Sequence, residues 1–347
     1  MANHKGVLLI YNKNNGHCFL FFNLSSIHCL NHEILLYMNI IAGVDEVGRG
    51  PLAGPVVAGA VVLPDDHRIE GLKDSKKLTK KKREGLYPII MEHALGTGIG
   101  KVSVEKIDEM NIREATFLAM ERALKNLPMV PNKALIDGEA LKTQKIPNVG
   151  IIKGDDKVDS IKAASIIAKV TRDKIMSQYG KIFTEYGFEQ NSGYGTKIHM
   201  DALKKYKSTP IHRRSFSPVK KQMPTIHWLE ENHRIPWMCE KLAGLYLMDK
   251  NYEVLKMNHG DSKINIHAKT PDNKKIYAKV IPNSITGGED DIFKSLQKND
   301  LVNSISSEES QENTNKDSGP HRVDALTIQL VKNNSPIIKH FKGIIEI

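Results

Sequence analysis

The chain has 347 residues, of which 40% are hydrophobic, so it can fill the cores of two domains and is not disordered throughout. Its net charge of +10 suits a protein that binds a polyanion, although surplus lysine also serves solubility. Three widely spaced cysteines exclude a disulfide framework and a zinc knuckle, and they predict a cytoplasmic protein. No apolar run reaches the roughly 18 residues that a membrane span needs, so we expect no membrane partner.

The N-terminal segment, residues 1–37, lacks the cleavage pattern of a secretory signal and reads as an appendage. Met38 stands just before the first strand-like run of the chain. One hypothesis is therefore that the working protein starts at Met38 and that the upstream residues are dispensable or not native.

Residues 40–63 are rich in glycine and valine, which predicts two neighbouring strands. The first strand leads through Asp45 and Glu46 into a glycine-rich turn that contains Arg49. Glycines let the main chain approach a ligand, and a guanidinium offers planar donors to phosphate. Taken alone, the stretch also fits a hairpin with two solvated acids.

Downstream of this turn, predicted strands alternate with predicted helices. Thr79 is a suitable N-cap for the first helix, and the later helices show apolar residues three and four positions apart. This alternation predicts an α/β fold, with a mixed sheet covered by helices. The predicted elements are a helix over 80–91, a strand over 97–104, a helix over 105–126, a strand over 134–136, a strand over 149–152 and a helix over 161–176.

Four carboxylates share one context, because Asp45, Glu46, Asp137 and Asp155 each end or follow a short apolar run next to glycine. If those runs are neighbouring strands, the carboxylates meet at one edge of the sheet. Clustered carboxylates repel unless cations lie between them, and Mg²⁺ prefers such oxygen ligands. Two ions can activate water and stabilise a leaving oxygen, so the spacing suggests a metal-dependent nuclease. A single Asp-Gly pair is more often only a turn.

At this point the sequence resembles the ribonuclease HII family from about residue 40 to residue 219. The resemblance implies an RNase H-like mixed sheet flanked by helices and hydrolysis of the RNA strand of RNA–DNA hybrids. It also implies incision 5′ to ribonucleotides embedded in duplex DNA, which leaves 3′-hydroxyl and 5′-phosphate ends. The matching blocks are GVDEVGRG (43–50), DSKKL (74–78), IDG (136–138), KGD (153–155), AASIIAKVTRD (163–173), GYGT (193–196) and HRRSF (212–216).

The resemblance also implies a role for individual residues of the site. Two Mg²⁺ or Mn²⁺ ions are expected on the four carboxylates Asp45, Glu46, Asp137 and Asp155. The segment Gly48, Arg49 and Gly50 is expected to contact the ribose 2′-OH and the phosphate at the cleaved nucleotide. Tyr194 is expected to pack on the sugar or base of the next nucleotide. The enzyme would then discriminate substrates by the sugar and depend little on base sequence.

Asp156 departs from the family pattern, which usually has a small residue after Gly154-Asp155. It either adds charge to the metal cluster or points to solvent. We favour solvent, because adjacent side chains on a strand face opposite ways.

Basic residues near Tyr206 and Phe216 form either a solvated face or a surface that follows the nucleic-acid backbone. We favour the second interpretation and expect binding to weaken as salt rises. The surface would extend to Lys73, Lys76 and Lys77, and Lys76 and Arg213 are predicted substrate contacts. His199 and His212 are expected to be structural or to lie near phosphate, not to bind metal. The basic residues are Lys197, Lys204, Lys205, Lys207, Arg213, Arg214, Lys220 and Lys221.

The composition changes after residue 217, which predicts a catalytic domain over 38–217, a linker over 218–236 and a second domain over 237–347. Residues 303–319 are almost entirely polar and are expected to form a disordered loop. We expect the chain to act as a monomer.

Pieces of the second domain resemble a small uncharacterised bacterial family with the PD-(D/E)xK endonuclease-like fold. Glu240 keeps the helix glutamate of that family, whereas Asn265 replaces the aspartate, Lys279 the glutamate and Ile281 the lysine. Amide and ammonium groups cannot replace the oxygen ligands of a hard cation. A degenerate, non-catalytic α/β domain is therefore expected.

Overall fold

A computed structural model describes residues 5–12, 16–23, 40–258, 263–282, 301–305, 322–332 and 334–346. The chain divides into two compact units that interleave along the sequence. The first unit comprises Met1–Asp45, Ala58–Gly100 and Met120–Ile167, and the second comprises Glu46–Val57, Lys101–Ala119 and Ala168–Ile347.

Two strands near the N-terminus, β1 (Lys5–Asn12) and β2 (Gly16–Asn23), pair with each other as an antiparallel hairpin. The sequence interpretation of this region as an appendage did not include any strand. Residues 1–4, 13–15 and 24–37 of the same segment lie outside the described residues.

The sheet that carries Asp45 and Asp137 has five strands in the order β5-β4-β3-β6-β7. Strand β3 is parallel to β6, with Val44 opposite Ile136, and β6 is parallel to β7. Asp45 and Asp137 follow this opposed pair directly, so the two carboxylates leave the sheet at the same edge. The strands are β3 (Ile41–Val47), β4 (Val56–Val62), β5 (Gly96–Val102), β6 (Lys133–Asp137) and β7 (Asn148–Ile151).

Helices flank this sheet, which confirms the predicted mixed α/β architecture. Thr79 caps the first helix, because its Oγ1 accepts a hydrogen bond of 3.3 Å from Lys82 N. The single helix predicted over 105–126 is instead two helices, since Asn111 adopts a φ of 74° that no right-handed helix accommodates. The helices are α1 (Lys80–His93), α2 (Val104–Met110), α3 (Ile112–Lys125), α4 (Gly154–Lys157) and α5 (Asp159–Ile182).

Gly43 on β3 allows the start of α5 to pack directly on the strand that carries Asp45. A Cβ at this position would lie 2.3 Å from Ile161 N and 2.3 Å from Ser160 C, both backbone atoms. Only glycine permits so close an approach. The first turn of α5 therefore contacts β3 close to Asp45.

The C-terminal part of the second unit contains a separate five-stranded sheet in the order β12-β11-β10-β9-β8. Strands β8, β9 and β10 pair antiparallel, β11 is parallel to β10, and β12 is antiparallel to β11. The helices of this unit are α6 (Phe188–Asn191), α7 (Lys197–Tyr206), α8 (Ser217–Lys220), α9 (Ile226–Glu231) and α10 (Ile235–Asp249). Its strands are β8 (Glu253–Met257), β9 (Ile266–Lys269), β10 (Lys275–Pro282), β11 (Arg322–Gln329) and β12 (Ile337–Glu346).

The segment predicted as a linker, residues 218–236, is structured. It contains most of α8, all of α9 and the start of α10, and Leu229 is buried. One hydrophobic core of the second unit joins Phe183, Trp237 and Leu326. The C-terminal sheet therefore packs through α10 on residues that follow α5 and is not a loosely tethered module.

A buried charge pair strengthens this junction. The Lys241 ammonium is fully buried, donates to Ile182 O at 2.6 Å and lies 3.2 Å from Glu185 Oε1. Trp237 Nε1 donates to the same carboxylate oxygen at 2.7 Å. Burial alone would raise the pKa of Glu185, but Lys241 and Trp237 lower it below its ordinary value. The carboxylate thus stays ionised inside the core, with both contacts on Oε1, whereas Oε2 is buried without a hydrogen-bond partner.

Residues 301–305 are helical, so the start of the predicted loop over 303–319 lies in a helix, and residues 306–319 lie outside the described part of the chain. Among the helices of the described residues, we find none long and apolar enough to cross a membrane.

Candidate metal centre and nucleic-acid interface

Three carboxylates converge in the first unit. Asp45, Asp137 and Asp155 each offer an oxygen atom, and these oxygen atoms lie within 4.8 Å of one another. Asp45 is in β3, Asp137 ends β6, and Asp155 is in the first turn of α4. Gly154 N and Asp155 N donate to Asp137 Oδ1 at 2.7 Å and 3.3 Å, which fixes α4 against the end of β6. The convergence predicted from the sequence is confirmed for these three residues.

The cluster is electrostatically unfavourable as three isolated anions. Burial and then the charge of Asp155 raise the pKa of Asp137 above its ordinary value, although two backbone N–H groups oppose the shift. Lys76 Nζ lies 3.5 Å from Asp155 Oδ2. Burial alone would lower the pKa of Lys76, but Asp45, Asp155 and Asp74 raise it. An oxygen-only donor set with this excess of negative charge fits a hard divalent cation.

Lys76 was predicted to contact substrate, and its side chain is 79% exposed beside the acidic cluster. Its backbone N donates to Asp74 Oδ1 at 2.9 Å, which orders the short turn that carries it. A contact with substrate therefore remains a prediction, and in the structure the ammonium partly neutralises the carboxylates.

Glu46, the fourth predicted ligand, belongs to the second unit. Its Oε1 atom lies 3.7 Å from Arg49 Nη1, and the Arg49 side chain is 55% exposed. Metal ligation by Glu46 remains a prediction.

The glycine-rich turn after β3 is held by a buried arginine. Arg213 has no exposed surface and donates to Arg49 O at 2.7 Å, to Gly54 O at 2.9 Å and to Gly48 O. The prediction that Arg213 contacts substrate is therefore wrong, because its donors are used by the turn. Burial and the neighbouring Arg172 lower the pKa of Arg213 to about 9, which leaves it protonated at neutral pH.

A second buried arginine, Arg172, completes this framework. Its guanidinium donates to Pro55 O at 2.9 Å, to Ser192 O at 3.0 Å and to Ala53 O at 3.1 Å. Gly48 has a φ of +99°, and a Cβ there would lie 2.3 Å from Arg172 Nε. Arg172 lies in the block AASIIAKVTRD, but its buried role could not be predicted, since an arginine is normally a surface residue.

Tyr194 presents its ring beside the same turn. Its exposed fraction is 49%, and a Cβ at Gly50 would lie 3.4 Å from Tyr194 Cε1. Its backbone N donates to Asn191 O at 2.9 Å. The ring is therefore accessible to a nucleotide while its backbone is fixed, which is compatible with the predicted stacking role.

His199 and His212 form a buried pair instead of a ligand site. Their Nε2 atoms lie 2.9 Å apart, and neither residue has exposed surface. Thr209 N–H donates to His212 Nδ1 at 3.0 Å, and His199 Nδ1 lies 3.0 Å from Tyr194 O. The predicted structural role is thus confirmed.

Asp156 lies on α4 and its side chain is 38% exposed. Its carboxylate pairs with the Lys77 ammonium, and this hydrogen bond lowers the pKa of Asp156. The expected solvent exposure is confirmed, but the reason given for it is wrong, because Asp156 is in a helix and not in a strand.

The basic surface of the second unit is largely exposed apart from Arg213. Lys197 pairs with Asp201 at 2.7 Å, and Lys207 donates to Gln222 Oε1 at 3.0 Å. Lys205 lies 5.0 Å from the centre of the Tyr206 ring. These contacts fit a solvated face as well as a nucleic-acid surface, so the second interpretation remains a prediction.

The region that carries these features is similar to known nucleases. The family model described as Ribonuclease HII matches residues 42–219. The chain belongs to the ribonuclease HII family. Ribonuclease HII of Ligilactobacillus salivarius is 54% identical over 181 residues, which cover 52% of this chain and 71% of the relative. Ribonuclease HII of Desulfitobacterium hafniense is 50% identical over 200 residues, which cover 57% of this chain and 77% of the relative.

The solved structure of ribonuclease H2 from Pyrococcus horikoshii OT3 is 32% identical and covers 52% of this chain and 95% of that chain, with a TM-score of 0.45. As a member of this family, the chain is a metal-dependent endoribonuclease that cleaves the RNA strand of RNA–DNA hybrids. The C-terminal sheet lies beyond the matched residues.

Proposed function

We propose that this member of the ribonuclease HII family cuts long hybrids and also incises duplex DNA 5′ to a single embedded ribonucleotide, leaving 3′-hydroxyl and 5′-phosphate ends. The observation that carries the proposal is the approach of the Asp45, Asp137 and Asp155 oxygens to within 4.8 Å. Carboxylates this close favour a bound divalent cation over three free anions. The oxygen donors suit Mg²⁺ or Mn²⁺.

Asp45, Asp137 and Asp155, with Glu46, would hold two ions at the scissile phosphate. Bound ions would supply an activated water and a stabilised leaving oxygen. The protein contributes orientation, since Gly154 N and Asp155 N fix Asp137 Oδ1. The Lys76 ammonium, which lies 3.5 Å from Asp155 Oδ2, would move away from Asp155 when a metal ion binds there.

Discrimination between RNA and DNA is proposed to come from the glycine-rich turn. Gly48, Arg49 and Gly50 would contact the ribose 2′-OH and the adjacent phosphate, and Tyr194 would stack on the next nucleotide. The buried guanidinium of Arg213 supports this role, because it holds the carbonyls of Gly48 and Arg49 in one conformation. None of these groups reads a base edge, so cleavage would depend little on sequence.

The direct test uses a labelled DNA duplex that contains one ribonucleotide. We expect the full-length protein to give a single cut 5′ to the ribonucleotide with Mg²⁺ or Mn²⁺ and no cut with EDTA. An all-DNA duplex of the same sequence is the matched control. Absence of any metal-dependent cut at the ribonucleotide would exclude the proposed incision.

For the C-terminal sheet we propose a degenerate endonuclease-like domain without catalytic metal. The order of α10, the β8–β10 meander and the parallel β11 supports the resemblance. Asn265 Nδ2 donates to Glu240 Oε1 at 2.9 Å, and Asn265 Oδ1 accepts from Val280 N at 2.9 Å. In a nuclease of the resembled family, an aspartate would stand at position 265 and would bind metal together with the glutamate. An aspartate could not donate to Glu240, so the Asn265 amide supports a structural hydrogen bond at this place instead of a metal site. Asp137→Asn protein should therefore retain no second metal-dependent nuclease activity.

We also propose that the protein is a cytoplasmic monomer that serves DNA replication and repair. Three widely spaced cysteines, Cys18, Cys29 and Cys239, support a reducing compartment. Sedimentation equilibrium of the full chain tests the monomer, and a mass of twice the single chain would contradict it.

A further inference from the structure

A cleft of about 460 Å³ opens in the C-terminal part of the second unit. This volume is in the usual range for a small-ligand site, roughly 300–1,000 Å³. It is formed by α10, the β9–β10 turn, β11 and β12, and none of the residues predicted to act in cleavage lines it. Its lining residues are Tyr246, Lys250, Tyr252, Thr270, Pro271, Asp272, Arg322, His340 and Lys342.

The charge of the cleft favours an anion. Lys250, Arg322 and Lys342 are three permanent cations in the lining, and Asp272 is the one carboxylate among the described lining residues. Asp272 is already engaged, because Thr270 Oγ1 donates to it at 2.5 Å and Lys274 Nζ lies 3.2 Å from it. The side chains of the lining therefore present more positive than negative charge to a ligand.

A carboxylate that has no exposed surface, Asp324, lies behind the lining residues Arg322 and His340. Asp324 accepts from Arg322 Nε at 2.9 Å, from Arg322 Nη2 at 3.1 Å, from His340 Nε2 at 2.8 Å and from Gly343 N at 2.8 Å. Four donors fill the acceptor sites of one carboxylate. Asp324 thus locks the arginine and the histidine in place, while the Arg322 side chain keeps 32% of its surface exposed.

Aromatic rings flank Arg322 and His340. The His340 ring packs edge-on against Tyr246 and Tyr252, with ring centres 5.7 Å and 6.0 Å apart. Arg322 Nη2 also donates to the Tyr252 hydroxyl at 3.1 Å, and Lys250 Nζ lies 5.7 Å from the centre of the Tyr246 ring. Cations beside tyrosine rings suit a ligand that carries both phosphate and a planar base.

We propose that this cleft binds a phosphate and the neighbouring base of a nucleic-acid strand without cleaving it. The choice of a nucleotide phosphate over other anions rests on the ribonuclease activity of the same chain. The cleft would give the enzyme a second, non-catalytic hold on nucleic acid.

The test uses the full-length protein in EDTA with single-stranded DNA that carries 5-iodo-2′-deoxyuridine, because this probe contains no ribose to cut. Irradiation and mass spectrometry of the peptides locate the crosslink. We expect it on the peptide that contains Tyr246 and Tyr252. Thymidine 5′-monophosphate in excess should reduce this crosslink more than thymidine does, which establishes the need for phosphate without any variant. If an oligonucleotide reduces the crosslink more than the mononucleotide does, at the same total concentration of phosphate groups, the cleft binds a nucleic-acid strand and not a free nucleotide.

The test variant is a double variant, Lys250→Glu with Lys342→Glu, which changes two exposed lysines of the lining. The control variant is Lys332→Glu, which changes an exposed lysine outside the lining. Loss of two phosphate contacts should reduce the cleft crosslink about tenfold in the first variant and leave it unchanged in the second. Cleavage at a single ribonucleotide should be the same in both, so failure of the cleft is distinguishable from failure of the nuclease. Crosslinks confined to other peptides, equal competition by thymidine, or equal loss in both variants would overturn the proposal.

Discussion

His199 Nε2 and His212 Nε2 lie 2.9 Å apart in the interior of the second unit. Because the Thr209 N–H group can only donate, His212 Nδ1 must accept, and the proton of His212 is on Nε2. His199 Nε2 is then the acceptor and His199 Nδ1 donates to Tyr194 O. The two neutral rings thus connect the Thr209 backbone to the backbone of Tyr194 through one defined proton arrangement.

This pair predicts a loss of stability in weak acid. Burial lowers the pKa of His199 below 6.5, and burial together with His199 lowers that of His212 well below 6.5. The unfolded chain therefore binds protons more readily than the folded one below about pH 6.5, so the contribution of the pair is complete above that pH and is lost on acidification. For each ring, the free energy of unfolding can fall by about 1.4 kcal/mol per pH unit of acidification.

Urea unfolding of the full chain at pH 7.5 and at pH 5.5 measures this effect. The exposed His227 provides the control, and His227→Gln should keep the same difference between the two pH values. Equal free energies of unfolding at both pH values would contradict the assigned proton arrangement.

Arg213→Lys should weaken both folding and cleavage. Lysine cannot reach the carbonyls of Gly48, Arg49 and Gly54 together, and unsatisfied buried acceptors cost about 1–3 kcal/mol. Cleavage of a ribonucleotide-containing duplex should fall at least tenfold because the turn loses its fixed conformation. The exposed Arg68, changed to lysine, is the matched control and should behave like the wild type. Full activity of Arg213→Lys would mean that the turn does not need this support.

How much of this site the sequence predicts depends on the kind of residue. Asp45, Asp137 and Asp155 follow apolar runs, so strand periodicity and chain order were sufficient to place them at one sheet edge. The burial of Arg172 and Arg213 was not predictable, because their partners are backbone carbonyls that leave no pattern in the sequence. The break between α2 and α3 was missed for a similar reason, since Asn111 adopts a left-handed conformation that helical periodicity does not report.

In the C-terminal part of the chain, the proposed resemblance singled out Asn265 as a departure from a nuclease pattern but did not give the contact that Asn265 makes. The pairing of Asn265 with Glu240 required coordinates, because the two residues are distant in sequence and belong to different elements. The order of the five strands was likewise not predictable from short apolar runs, since pairing register depends on contacts between distant segments.

Asn265→Asp should destabilise this domain. It would place two buried carboxylates within hydrogen-bond distance and remove the proton that Glu240 accepts, at a cost of about 1–3 kcal/mol in the free energy of unfolding. The double variant Glu240→Gln with Asn265→Asp restores one donor and one acceptor and should recover most of the loss. Denaturant unfolding at pH 7.5 measures both variants. A single variant as stable as the wild type would show that the pair contributes nothing to stability.

Asp137→Asn should remove metal-dependent cutting while hybrid binding in EDTA stays largely intact. The same change should abolish the stabilisation of the fold by metal, which for an ion at ten times its Kd is about 1.4 kcal/mol. Thermal unfolding with and without Mg²⁺ gives this second readout independently of activity. The exposed Asp156, changed to asparagine, should keep both properties. Equal loss of hybrid binding and of fold in Asp137→Asn would indicate a structural residue instead.

The most direct measurement is anomalous scattering from crystals of the full chain soaked in Mn²⁺. We expect manganese peaks within about 2.2 Å of carboxylate oxygens from Asp45, Asp137 and Asp155, the range for a directly bound hard cation. Manganese bound elsewhere on the protein, with these three carboxylates outside its coordination sphere, would contradict it.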